Sequence, residues 1–139
     1  MREHIPVSSI MTKTIIGLTR SDDLKRAEML FNRHRIKHIP VVAGECIIGM
    51  LSYTDLMRIS IPEVAGNDNV GLDSVVLNSF TIEQVMVKNV VTVAPETSIK
   101  DVALILANRE FHALPVVDKG DLVGIVTTTD LLNYFIREF

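Results

Sequence analysis

The chain contains no tryptophan, a single cysteine and few aromatic residues (5%), and each scarcity removes a class of explanation. One cysteine, Cys46, excludes an internal disulfide framework and a thiolate metal cluster, and its expected place is as a small buried strand residue in a reducing compartment. No apolar run reaches the roughly 18 residues of a membrane span, and Met1-Arg2-Glu3-His4-Ile5-Pro6 lacks a signal peptide's apolar stretch. The expectation is a cytoplasmic protein with no membrane partner. A large positive charge is also missing. At a formal −3, the chain has no general attraction for nucleic acid, so any anion site must be local.

What is present is an ordinary globular composition, 47% hydrophobic and 22% charged, over 139 residues. That length suits one compact domain or two halves sharing a core, because a core below about 70 residues is usually marginal. An internal repeat decides between them. A shift of 75 positions aligns Val7 to Met57 with Ile82 to Leu132 without a gap. Identities fall at Met11/Met86, Lys13/Lys88, Lys25/Lys100, Pro40/Pro115, Val41/Val116, Val42/Val117, Gly49/Gly124, Thr54/Thr129, Asp55/Asp130 and Leu56/Leu131. Apolar character agrees between them, as at Ile15/Val90, Leu18/Val93, Leu24/Ile99, Leu30/Ile105 and Ile48/Val123. Two copies are too few for a solenoid, so a pseudo-symmetric pair burying a common face is expected.

Each copy reads as βαββα. In the second, Val90-Val91-Thr92-Val93 is a short β-branched strand, and Pro95 with Thr97-Ser98 supplies a stop and a helix cap. Ile99, Val102, Ala103, Ile105, Leu106 and Ala107 follow at helical spacing. Leu114-Pro115-Val116-Val117 and Leu122-Val123-Gly124-Ile125-Val126 form a hairpin around Asp118-Lys119-Gly120-Asp121, and a last helix starts after Asp130. The first copy repeats this order with Gly44-Glu45 at its turn. The predicted fold class is thus α/β (α+β): unit 1 over 1–61, a linker over 62–79, and unit 2 over 80–139. The linker contains Pro62, Gly66, Asn67-Asp68-Asn69 and Gly71, and its Val75-Val76-Leu77 is expected to pack as the second unit begins.

Two strings carry the main functional signal. Ile39-Pro40-Val41-Val42 is followed by Gly49-Met50-Leu51-Ser52-Tyr53-Thr54-Asp55, and Leu114-Pro115-Val116-Val117 by Gly124-Ile125-Val126-Thr127-Thr128-Thr129-Asp130. An apolar-Pro-Val-Val strand followed by Gly-x-x-(Ser/Thr)-x-x-Asp resembles the CBS domain family, named after cystathionine β-synthase, and the likeness covers nearly the whole chain. The resemblance implies two units paired about a pseudo-two-fold axis, with two equivalent clefts between them. It implies a non-catalytic regulatory module that binds AMP, ADP, ATP or S-adenosylmethionine as a regulatory ligand and needs no cofactor. It also implies a homodimer of pairs. With no fused enzyme, transporter or DNA-binding segment expected, the signal is expected to pass to a separate effector protein or through the dimer itself.

By the same resemblance, one site would combine Thr14, Ile16 and Ile36 with His112, Ala113, Ile125, Thr127, Thr129 and Asp130. The other would combine Asn89, Val91 and Phe111 with Lys37, His38, Met50, Ser52, Thr54 and Asp55. The chemistry leaves two uses open for each polar group. Asp55 and Asp130 sit where a strand hands over to a helix, so each suits a helix cap, or the 2′ and 3′ hydroxyls of a ribose, or both. The hydroxyls of Ser52/Thr127 and Thr54/Thr129 suit capping or, with the helix-start N–H groups, phosphate oxygens. Ile16, Ile36, Val91 and Phe111 suit core packing or an adenine slot.

The copies differ at Lys37/His112, His38/Ala113 and Arg20/Pro95. Arg33, His34, Arg35, Lys37 and His38 form a basic run that fits a solvated helix end or phosphate capture, and on the second reading the Asp55 site prefers the more phosphorylated nucleotide. An enzyme is disfavoured because Asp55 and Asp130 occupy repeat-equivalent places in separate sites, and no triad, zinc or Walker spacing is present. His34 and His38 have metal-ligand spacing only if one helix carries both, and they straddle the expected helix end. The competing non-enzymatic function is a ligand-free dimerisation module, using apolar faces such as Leu56-Met57-Ile59 and Leu131-Leu132-Phe135-Ile136.

Overall fold

The computed structural model describes residues 4–60 and 74–139, and the greater part of the predicted linker, with Pro62, Gly66, Asn67-Asp68-Asn69 and Gly71, lies outside them. A short 3-10 turn at Val7–Ser9 is followed by α1 (Leu24–His34), β1 (His38–Ala43), β2 (Cys46–Ser52) and α2 (Tyr53–Ser60). Two short helices, α3 (Ser74–Ser79) and α4 (Ile82–Val85), precede α5 (Ile99–Ala107), β3 (Ala113–Asp118), β4 (Asp121–Thr127) and α6 (Thr128–Glu138). Helices and small antiparallel sheets therefore alternate in the same order twice, the predicted mixed α and β class.

The hairpins form where turn chemistry demands them. Lys119 and Gly120 both have positive φ (51° and 88°), the type I′ requirement whose twist matches the flanking strands. Gly44 (φ 63°) leads the other two-residue turn. Both hairpins slip register at repeat-equivalent points, between Val41 and Val42 and between Val116 and Val117, leaving Ile48 and Val123 as bulge residues.

The helices start at side-chain caps. Asp23 accepts the Arg26 N–H at 2.8 Å, and Ser98, in the predicted capping segment, accepts that of Asp101 at 3.0 Å. At its far end α1 stops on Arg35 in the left-handed conformation (φ 53°), so the basic run straddles a helix end as expected. His34 closes α1 and His38 opens β1, so the two share no helix face.

The first strand of each predicted unit is reduced to one residue. Val93 donates to the Pro115 carbonyl (3.0 Å) and accepts from the Val117 N–H (2.8 Å), and Leu18 pairs in the same way with Pro40 (2.9 Å) and Val42 (2.7 Å). A parallel ladder advancing toward Val91 or Ile16 would next need an N–H from Pro115 or Pro40, which proline lacks. The proline that marks the motif is what truncates the strand.

Two compact units result, and they do not coincide with the sequence repeats. One contains Met1–Ile15 and Val90–Phe139, the other Ile16–Asn89. In the first, Val7 is buried with Val93, Val102, Leu106, Leu114, Val116 and Val126, and Ile10 and Met11 pack on them. In the second, Leu77, Ile82 and Met86 join Leu18, Leu24, Leu30, Phe31, Ile39, Val41, Leu51 and Leu56. Leu77 therefore packs on the core of the first hairpin and not on that of the second; the side chains of Val75 and Val76 lie outside the description.

The exchanged segments are fixed by backbone pairing. Thr12 and Ile125 exchange N–H···O bonds of 2.8 and 3.0 Å, and Val87 and Met50 do the same at 2.9 and 3.0 Å. Each hairpin is thus flanked on both edges, which covers otherwise open strand edges. Gly49 and Gly124 make this approach possible. A Cβ at Gly49 would overlap the Met86 sulfur and stand 3.0 Å from its Cγ, and one at Gly124 would overlap the Met11 sulfur and stand 2.9 Å from its Cγ. The motif glycines and the repeated methionines are two halves of one contact. Cys46, expected to be buried, is instead exposed, because it is the first residue after the Gly44-Glu45 turn.

Candidate functional site

The last strand of each hairpin runs directly into a helix, and the motif residues occupy that junction. Thr127 caps α6, with its hydroxyl accepting the Asp130 N–H at 3.1 Å and the Asp130 carboxylate accepting the Thr127 N–H at 3.0 Å. This is a closed capping box, with an aspartate where glutamate is commoner. The Thr12 hydroxyl also reaches the Asp130 carboxylate, at 3.5 Å, a long and weak bond.

The equivalent junction in the other unit is only half built. Ser52 accepts the Asp55 N–H at 3.0 Å, but the Asp55 carboxylate turns to the Arg58 guanidinium, 3.0 Å away and one helical turn on. The Asp55 side chain is 19% exposed and that of Arg58 71%. Second-copy Asn133 stands in the place of Arg58. Two aspartates at matching positions thus have different partners: a backbone amide and a hydroxyl for Asp130, a cation for Asp55.

Residues preceding the strands also serve the junctions. The Lys37 carbonyl accepts the Tyr53 N–H (2.9 Å) and the His112 carbonyl accepts the Thr128 N–H (3.0 Å). The Lys37 and His112 side chains are exposed, as are Thr14, Thr54, Asn89 and Thr129, whereas Met50, Ala113 and Ile125 are buried and Ser52, His38 and Thr127 half-buried. Beside Lys37, Phe31, Asn32, Arg35, Ile36 and Tyr53 complete the lining of an open pocket of about 240 Å³. The Tyr53 ring meets Phe31 edge-on at 5.5 Å. Ile36 and Lys37, which the resemblance assigns to different sites, line this one pocket.

The compact units sort the predicted site residues. Thr14, His112, Ala113, Ile125, Thr127, Thr129 and Asp130 belong to one, and Lys37, His38, Met50, Ser52, Thr54, Asp55 and Asn89 to the other. Ile16 and Ile36 lie in the unit of Asp55, and Val91 and Phe111 in that of Asp130. Ile16 and Ile36 pack against the core around Leu18, and Val91 and Phe111 against that around Val93, so all four contribute to cores. Sequence reasoning missed Thr12 and Arg58. Arg58 was detectable as an i, i+3 partner of Asp55, whereas Thr12 carries no local signal because its contact spans most of the chain. Among the described residues no group of three or more His, Cys, Asp or Glu could hold a metal ion, and no helix is long and apolar enough to cross a membrane.

The CBS domain model matches residues 7–61 and 82–137, one copy over each repeat. The chain belongs to the CBS domain family. Solved CBS-type structures superpose on nearly all of it. An acetoin utilization protein (AcuB) structure from Vibrio cholerae aligns with a TM-score of 0.81 at 29% identity, covering 97% of this chain and 93% of that one. The CBS domain pair of protein MJ0100, solved in complex with 5′-methylthioadenosine and S-adenosyl-L-methionine, aligns with a TM-score of 0.76 at 25% identity, covering 94% and 99%. The CBS chain is also 28% identical over 138 residues to a homoserine O-acetyltransferase of Methanohalobium evestigatum, covering 98% of this chain but 25% of that protein. It spans between a quarter and about half of the length of the first curated relatives it matches.

Proposed function

We propose that this CBS pair is a non-catalytic regulatory module that binds an adenosine-containing ligand, of the AMP, ADP, ATP or S-adenosylmethionine type, and passes the binding signal to an effector protein. The observation that carries the reading is the pair of strand-to-helix junctions ending in Asp55 and Asp130. Each sets a half-buried carboxylate beside a capping hydroxyl on the first turn of a helix. A carboxylate there can accept two ribose hydroxyls, and the helix start offers N–H groups to phosphate. The adenosyl ligands bound by the MJ0100 pair support the ligand class. Within each compact unit, the residues given from the sequence belong to this proposal, with Thr12 added to those around Asp130 and Arg58 to those around Asp55.

Lys37, exposed at the first hairpin, makes the Asp55 site the one that prefers extra phosphates. A Lys37→Ala variant should lose more affinity for ATP than for AMP in titrations at rising salt; equal losses would refute that preference. For the module as a whole, thermal melting with adenosine nucleotides is the direct test. A ligand at 100 times its dissociation constant adds about 2.7 kcal/mol of stability. No shift with any adenosyl compound would instead favour a structural role.

That second reading has its own observation. No residue of α6 is buried, and Leu132, Phe135 and Ile136 on it are exposed. A second copy of the chain is the proposed cover for this face, giving a homodimer, and Phe135→Glu should then shift the sedimentation coefficient toward the monomer value. The two functions are compatible, and the protein's proposed location is the cytoplasm.

A further inference from the structure

The pairing of Asp55 with Arg58, where the other repeat has Asp130 and Asn133, has a consequence for ligand choice that rests on the adenosine reading above. We infer that the Asp55 site, and not the Asp130 site, accepts an adenosine whose ribose carries a phosphate on its 2′ or 3′ oxygen, with Arg58 as the specificity-determining residue. A carboxylate that recognises ribose hydroxyls ordinarily excludes such a phosphate, since both groups are anionic and the carboxylate has no proton to donate. Dinucleotide-binding folds meet the same problem and solve it with an arginine near the ribose.

The geometry at Asp55 supplies that arginine. Its guanidinium lies 3.0 Å from the Asp55 carboxylate. The ribose hydroxyl left free by the phosphate can donate to that carboxylate at about 2.8 Å, which places it within about 6 Å of the guanidinium, with the phosphate on the adjacent ribose oxygen. With 71% of its side chain exposed, Arg58 has room to turn from Asp55 to the phosphate, and its fork of N–H donors matches two phosphate oxygens. At the other junction Asp130 makes no ion pair among the described residues. Its carboxylate is held by the Thr127 amide and the Thr12 hydroxyl, and Asn133 adds no charge. The Asp55–Arg58 pair is formally neutral where Asp130 is anionic, so a bisphosphate meets net repulsion only at Asp130.

The test is calorimetric titration of the native full chain, in which Asp130 keeps the charge that excludes a bisphosphate from its own site. The probes are AMP, adenosine 2′,5′-bisphosphate and adenosine 3′,5′-bisphosphate. With Arg58 intact, at least one bisphosphate should bind within a few-fold of AMP. Arg58→Asn, which installs the residue of the other repeat, should weaken that bisphosphate about tenfold, the scale of a charged hydrogen bond, and change AMP by less than about twofold. Arg58→Lys should restore part of the loss. Equal loss for AMP and the bisphosphate, or no loss for either, would overturn the inference. Binding of AMP with neither bisphosphate would overturn it alone, and binding of none of the three would overturn the adenosine reading with it.

Discussion

The two repeats agree where the backbone is crowded and differ where a side chain faces solvent. Gly49 faces Met86 and Gly124 faces Met11 in matching geometry, down to the overlap that a Cβ would cause. At the helix junctions the correspondence ends: Asp130 closes a capping box and Asp55 does not. The first contact fixes the segment that pairs beside β2 or β4, and a side chain added there must move a methionine and, at Gly49, press on the Val87 carbonyl 3.0 Å away. The second changes only which group holds a carboxylate, so the copies were free to diverge. One fold can therefore carry two unequal sites, with the divergence concentrated at the residues best placed to meet a ligand.

The largest effect should come from the shared contact. Gly49→Ala and Gly124→Ala each force a methyl against a methionine and should each cost about 1–3 kcal/mol in urea unfolding, with Gly49→Ala the costlier because the Val87 carbonyl also stands 3.0 Å from the added methyl. Pairing Gly124→Ala with Met11→Ala should recover about 1 kcal/mol or more, a coupling that additive costs would refute. An intermediate effect should separate the aspartates. Asp130→Ala removes an acceptor from the capping box and should cost about 1 kcal/mol. Asp55→Ala removes an ion pair whose cation, Arg58, is largely solvated, and should cost about 0–0.5 kcal/mol. Equal costs would mean that the asymmetry at the junctions has no energetic content. Arg58→Asn should be the smallest, within about 0.5 kcal/mol of the native protein.

Much of this architecture was legible before any coordinates. The 75-residue repeat, both hairpin turns and the Ser98 cap follow from local chemistry, which neighbouring residues carry in full. The first strands were misread because a β-branched run such as Val90-Val91-Thr92-Val93 does not reveal its partner, and the partner's proline lacks the N–H that a longer ladder needs. The exchange of Met11 and Met86 between hairpins was visible only as an unexplained identity, since sequence distance does not encode which edge a segment covers. Cys46 was misjudged because the first strand residue after a tight turn follows the turn into solvent, and burial in β2 begins only at Gly49. At the candidate sites, residue types and local order were readable from the motif, while the partner of each aspartate depended on side-chain direction.

The central claim is that the two junctions are two adenosine sites of unequal character. Calorimetric titration of AMP into the native chain, Asp55→Ala and Asp130→Ala tests it most directly. The account predicts two classes of site with different affinities in the native protein, with Asp55→Ala abolishing one class and Asp130→Ala the other. Absence of binding, or both classes surviving in both variants, would contradict it.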